Sequence, residues 1–144
     1  MRVLVIVHVE PYFEGYKPDL RLLAKQIRSL ANLYDHVINV TCSNQLSDLE
    51  QYEEFQKFHE EEWVWGFDAE YYKEVTPDEC IKGVHYIETT GHEYSIIEEW
   101  MKKLSIKNKY TLVGGARTEC LQDVLEIFSF LNLDVKVNEK LTYN

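Results

Sequence analysis

Cysteine is scarce in this chain, and its spacing excludes a stapled fold. The three cysteines, Cys42, Cys80 and Cys120, form no CxxC pair and leave an odd count. A disulfide scaffold or zinc finger is therefore not expected, and a reducing, cytoplasmic location is. Long apolar runs are absent too. The longest, Val3 to Val7, is far short of a membrane span, and no small-residue cleavage site follows the opening strand. Three prolines and six glycines supply no linker, and no internal repeat is visible, so residues 1–144 are read as one domain. At this length folding buries roughly 68–70% of the unfolded chain's surface, enough for a core without metal or disulfide support.

Basic charge is the other deficit. Fifteen lysines and arginines face twenty-five acids, for a net charge of −10, and residues 46–80 alone hold twelve acids against Lys57 and Lys73. That segment carries the whole imbalance. It repels phosphate backbones, and no basic stripe with interleaved aromatics offsets it, so nucleic acid is not an expected partner, and without a spanning run neither is a membrane. Its plain reading is a solvated helical face.

What is present alternates between strand and helix. Residues 2–8, RVLVIVH, are apolar without alternation, as in a central strand covered on both faces. After Pro18, Leu20, Leu23, Ile27, Leu30 and Tyr34 recur at helical spacing. HVINVT at 36–41 reads as a second strand and 46–60 as an acidic surface helix. Residues 61–80 form an irregular excursion carrying Trp63, Trp65, Phe67, Tyr71 and Tyr72 among acids. Then follow a strand at 84–88, a helix from about 92 to 104, a strand at 110–114, a helix from about 118 to 131 and a strand at 134–138. This order predicts an α/β fold: a three-layer, doubly wound, mostly parallel five-stranded sheet. The apolar first and fourth strands belong at its centre, giving the order 3-2-1-4-5, with ligands expected beyond their carboxyl ends.

Two distant segments meet there. The first strand delivers His8, Glu10, Pro11 and Tyr12; the fourth delivers GGARTEC, residues 114–120. Gly114 and Gly115 permit close backbone approach. Thr118 is a candidate N-cap, which places Cys120 in the first helical turn, where unpaired amides and the macrodipole activate a thiol. The same place suits an anion, with Arg117 as a second donor. Cys120 is also in register with Val124, Ile127 and Leu131, so an inert packing role stands beside the reactive one.

The patches VIVHVEPYF and LVGGARTECLQDV resemble the isochorismatase-like cysteine hydrolases. In that family an apolar strand ends in an acid, with a glutamine two residues on and a phenylalanine three later. A glycine-led turn then places the cysteine nucleophile six residues after the glycine. Phe13 and the Gly114-to-Cys120 spacing match, whereas His8 stands at the aspartate position and Glu10 at the glutamine position. The family's lysine is replaced by Glu88 or Thr89 in YIETTGHEYS. Its metal patch after the second strand is missing, because TCSNQLSD follows and His59 stands alone. No metal or other cofactor is therefore expected. Separately, the stretch from GGARTECLQDV to KLTY is similar to small uncharacterised phage-encoded proteins.

If the resemblance extends to catalysis, Cys120 is the nucleophile, His8 its base and Glu88 the carboxylate that orients the imidazole. Amides of residues 115–120 would form the oxyanion hole for acyl transfer from a small amide or ester. If it does not, the crevice, including Glu10, Gly114, Gly115, Arg117 and Thr118, binds a small ligand without chemistry, or the fold serves only as a scaffold for contact with a protein partner. In that non-catalytic case Trp63, Trp65, Tyr71 and Tyr72 cover the crevice as a lid or form a contact between copies of the chain, the alternative being that Trp63 and Trp65 seal the core beneath a long loop.

Overall fold

The computed structural model describes residues 1–9, 17, 19–31, 33–42, 84–89 and 104–144, with residues 39, 41, 42 and 84–89 described by their backbone alone. Among the described residues there are five strands, β1 (Arg2–Val7), β2 (His36–Cys42), β3 (Val84–Thr89), β4 (Lys109–Gly115) and β5 (Asp134–Tyr143), and two helices, α1 (Leu20–Ala31) and α2 (Cys120–Phe130). Every strand pair is parallel, and the order across the sheet is β3-β2-β1-β4-β5. The α/β class with a parallel sheet follows. The expected helices at 46–60 and 92–104 and the excursion at 61–80 lie outside the described residues, apart from the half-buried Leu104.

Because β1 has no polar position between Val3 and Val7, it supplies both faces of the sheet with apolar side chains. Leu4 and Ile6 pack with Leu20, Leu23, Ala24 and Ile27 of α1. Val3, Val5 and Val7 pack with Leu121, Val124 and Phe128 of α2, together with Tyr110 and Leu112 of β4. Each such fully buried side chain contributes about 1.5–3 kcal/mol. The Tyr110 and Phe128 rings meet edge to face, with centroids 5.0 Å apart and an interplanar angle of 69°. Burial pushes the Tyr110 phenol up, partly offset by its hydrogen bond with Asn108. That hydroxyl donates to the Ser105 carbonyl at 3.0 Å.

Three boundaries differ from the sequence expectation by two residues or more. Helix α1 stops at Ala31, and Tyr34 lies beyond it with the Arg2 guanidinium 4.9 Å above its ring. Helix α2 begins at Cys120 rather than Thr118. It ends in a Schellman arrangement: the Leu133 amide donates to the Phe128 carbonyl, the Asn132 amide donates to Ser129, and Asn132 takes the left-handed conformation (φ 57). Strand β5 runs on to Tyr143, because its register slips. Leu112 pairs with Val137 but Gly114 pairs with Thr142, so four residues, Asn138 to Leu141, stand opposite Val113 alone. The bulge returns Leu141 and Tyr143 to the α1 face.

Candidate functional site

Strand β1 lies between β2 and β4, and Val7 pairs with Gly114 at their carboxyl ends. The chain leaves β1 toward β2 on one side and β4 toward β5 on the other. Their junction is the switch point of the sheet, the place where parallel α/β sheets hold ligands.

His8 is the first residue past β1. Its amide donates to the Val40 carbonyl at 3.0 Å, its side chain is buried, and its backbone is left-handed at φ 50. That conformation costs a non-glycine residue about 1–2 kcal/mol and persists only where neighbours impose it. One such neighbour is Tyr143, whose buried hydroxyl donates to the His8 carbonyl at 2.6 Å.

Gly114 and Gly115 make room for the protein's own atoms. A Cβ on Gly114, where φ is +99, would meet the Val7 carbonyl oxygen at 2.1 Å. One on Gly115 would meet the Tyr143 ring and the Tyr143 carbonyl oxygen at 2.7 Å. The close approach that this glycine pair permits is thus to β1 and to Tyr143. The peptide joining Gly115 to Ala116 is cis.

In the turn that follows, the Arg117 amide donates to the Tyr143 carbonyl at 2.7 Å. The Arg117 guanidinium is engaged by Glu139: Nε donates to Oε1 and Oε2 at 3.1 and 3.0 Å, and Nη2 donates to Oε1 at 3.0 Å. Nη1 donates to Gln122 Oε1 at 2.7 Å. The bonds between Arg117 and Glu139 raise the Arg117 pKa above its ordinary value and hold the Glu139 carboxyl below its own. Arg117 therefore carries its counter-ion within the chain, which weakens it as a donor to an external anion.

Thr118 is exposed and does not cap the helix. The N-cap position is Glu119, which makes no side-chain capping bond. The turn satisfies itself through backbone instead: the Glu119 and Leu121 amides both donate to the Ala116 carbonyl at 3.0 Å. With the Arg117 amide bonded to Tyr143, two of the amides expected in an oxyanion hole, those of Arg117 and Glu119, are bonded to the protein itself. Cys120 opens α2 at 8% exposure and belongs to the apolar cluster that contains Val7, Val40 and Val124.

The structure brings His8, Gly114, Gly115, Arg117, Thr118 and Cys120 to one end of two adjacent strands. The Glu88 backbone lies at the same carboxyl end of the sheet, two strands across in β3. That residue pairs with Thr41, so β2 separates it from β1 and puts it about 10 Å away in strand spacings. Glu10, Trp63, Trp65, Tyr71 and Tyr72 lie outside the described residues. Among the described residues no group of three or more His, Cys, Asp or Glu could hold a metal ion, and no helix is long and apolar enough to cross a membrane. Tyr143 and Glu139 are the neighbours that sequence reasoning missed. The alternation of Leu141 and Tyr143 after the polar NEK triplet was the available signal.

No family model matches the chain, and no curated protein matches it. A solved structure from Leishmania major described as a "putative Mar1 ribonuclease" is similar in fold, with a TM-score of 0.55 at 11% identity. The likeness covers 98% of this chain and 64% of that one, so this chain spans less than two thirds of its relative's length. At that identity the match speaks for the fold alone.

Proposed function

We propose that this chain is a three-layer, doubly wound protein of the isochorismatase-like kind, a cysteine-dependent hydrolase of a small amide or ester. The observation that carries the reading is the pairing of Val7 with Gly114, which sets His8 and the turn to Cys120 side by side at the switch point. In the proposed reaction the His8 imidazole takes the Cys120 thiol proton, and the thiolate attacks the substrate carbonyl carbon. The amine or alcohol departs with the proton returned by the imidazolium. Water, deprotonated by the same imidazole, then cleaves the acyl-thioester and regenerates the thiol. A neutral substrate fits best, since Arg117 is held by Glu139 and the chain is strongly acidic.

A second reading, binding without chemistry, draws support from the apolar surroundings of Cys120 and its 8% exposure. Iodoacetamide labelling of the full chain, followed by peptide mass mapping, separates the two. The hydrolase reading expects Cys120 to be modified about tenfold or more faster than Cys42 and Cys80 near pH 7, with the pH profile displaced in His8→Gln. Equal, slow modification of all three thiols favours the binding module.

A further inference from the structure

Tyr143 touches both halves of the switch-point junction. Its hydroxyl donates to the His8 carbonyl at 2.6 Å, and its own carbonyl accepts from the Arg117 amide at 2.7 Å. Its ring lies where a Gly115 Cβ would stand, and the whole residue is 5% exposed. Filling that space needs only a ring, which phenylalanine would supply. The hydroxyl adds a directed bond to one carbonyl, and that carbonyl belongs to a histidine held left-handed at φ 50. In this backbone state the direction of the carbonyl and the direction of the side chain are fixed together.

We infer that Tyr143 is the positioning residue of this site, a cross-brace that holds His8 on one side and the turn leading to Cys120 on the other. Its catalytic consequence rests on the hydrolase reading; the brace does not. Groups that must exchange a proton lose rate steeply when displaced by an ångström, and two residues 112 positions apart in sequence, His8 and Cys120, need a shared support to keep their spacing.

Tyr143→Phe removes the oxygen and keeps the ring. With histidine labelled selectively in 13C and 15N, the five histidines give a small set of signals, and His8 is identified by its loss in His8→Gln. In Tyr143→Phe the His8 carbonyl and imidazole signals should move, and alkylation of Cys120 should slow by about ten- to a hundredfold with an altered pH profile. Fluorotyrosine at position 143 keeps the shape and strengthens the donor. It should shift the His8 carbonyl signal in the opposite direction, and it supplies the same test if the phenylalanine variant fails to fold. His8 signals that do not respond to either substitution would overturn the brace. Rapid Cys120 alkylation that persists unchanged in Tyr143→Phe would remove Tyr143 from the chemistry while leaving the hydrolase reading intact. Slow wild-type alkylation, alongside His8 signals that do respond, would overturn the hydrolase reading and keep the brace.

Discussion

A Cβ added at Gly114 would stand 2.1 Å from the Val7 carbonyl oxygen and 3.0 Å from both the carbon and the nitrogen of that residue. Relief requires about 1 Å of movement, since carbon and oxygen seldom approach within about 3.2 Å without bonding. No flexible side chain can yield. The obstructing atoms are backbone in the strand that lies between β2 and β4, where Val5 and Val7 are fully buried. Alanine also pays about 1–2 kcal/mol for the positive φ. Opening the β1–β4 ladder at this pair weakens one or two hydrogen bonds worth about 1 kcal/mol each and loosens packing on both faces. Gly114→Ala should therefore destabilise the fold by about 3–5 kcal/mol, a large part of the roughly 5–15 kcal/mol available to a domain. At about 2–4 °C per kcal/mol for a chain of this size, the thermal midpoint should fall by roughly 6–20 °C. Thermal melts with urea titrations give the answer, the urea slope staying near the wild-type value while the midpoint drops. A midpoint within about 3 °C of wild type, close to 1 kcal/mol, would show that β4 does not press on β1 here, and the case for a shared junction would go with it.

Two further outcomes follow from the core and from the Arg117 pair. Phe128 is fully buried in the α2-face cluster and meets Tyr110 edge to face, so Phe128→Ala should cost about 3–5 kcal/mol in urea unfolding, and a loss below about 1.5 kcal/mol would contradict its placement. The Arg117 guanidinium holds the Glu139 carboxyl below its ordinary value of 4.5 in the folded state, so the folded chain binds fewer protons there than the unfolded chain. The stability this supplies is present above 4.5 and is lost as pH falls through the lowered folded value. Glu139→Gln should accordingly be somewhat less stable than wild type at neutral pH and converge with it in acid. A gap that widens toward low pH would reverse the sign. High salt should narrow the neutral-pH gap, because the Glu139 end is exposed.

The parallel sheet was legible because parallel strands buried on both faces leave an uninterrupted apolar run. Val3 to Val7 is such a run, and it lies between β2 and β4. The α1 stripe of Leu20, Leu23 and Ile27 was legible for a similar reason: helical spacing and burial agree residue by residue. The cap was not. Thr118 satisfies the sequence rule for an N-cap, but the Ala116 carbonyl takes the amides of Glu119 and Leu121, and no local pattern announces a backbone acceptor. The end of β5 was missed because Asn138, Glu139 and Lys140 read as an exit from the sheet, whereas the bulge absorbs them and pairing resumes at Thr142. Nor could spacing pair Arg117 with Glu139, twenty-two positions away. Within the candidate site, the convergence of His8 with the turn to Cys120 follows from strand order. The left-handed histidine and the tyrosine that bonds to it depend on tertiary contacts alone.

That left-handed step also explains how the strand ends. In regular strand geometry Val7 and Val9 would share a face, as Val3, Val5 and Val7 do. Instead Val7 belongs to the α2-face cluster and Val9 to the α1-face cluster, beside Leu141 and Tyr143. The change of phase falls at His8, so the histidine is the residue at which the chain turns out of the sheet. A side chain at a phase break is not committed to either face by the pleat. The His8 amide bonds to Val40 in β2 and its carbonyl to Tyr143 in β5. Those partners come from strands on opposite sides of the β1–β4 junction. Among the described residues the α1 side of that junction is occupied by Val9, Leu141 and Tyr143, whereas Cys120 belongs to the α2 side. Tyr143 and the Cys120 sulfur thus belong to opposite faces of the sheet, so the tyrosine acts on the site through the His8 carbonyl and the Arg117 amide and not by packing on the thiol.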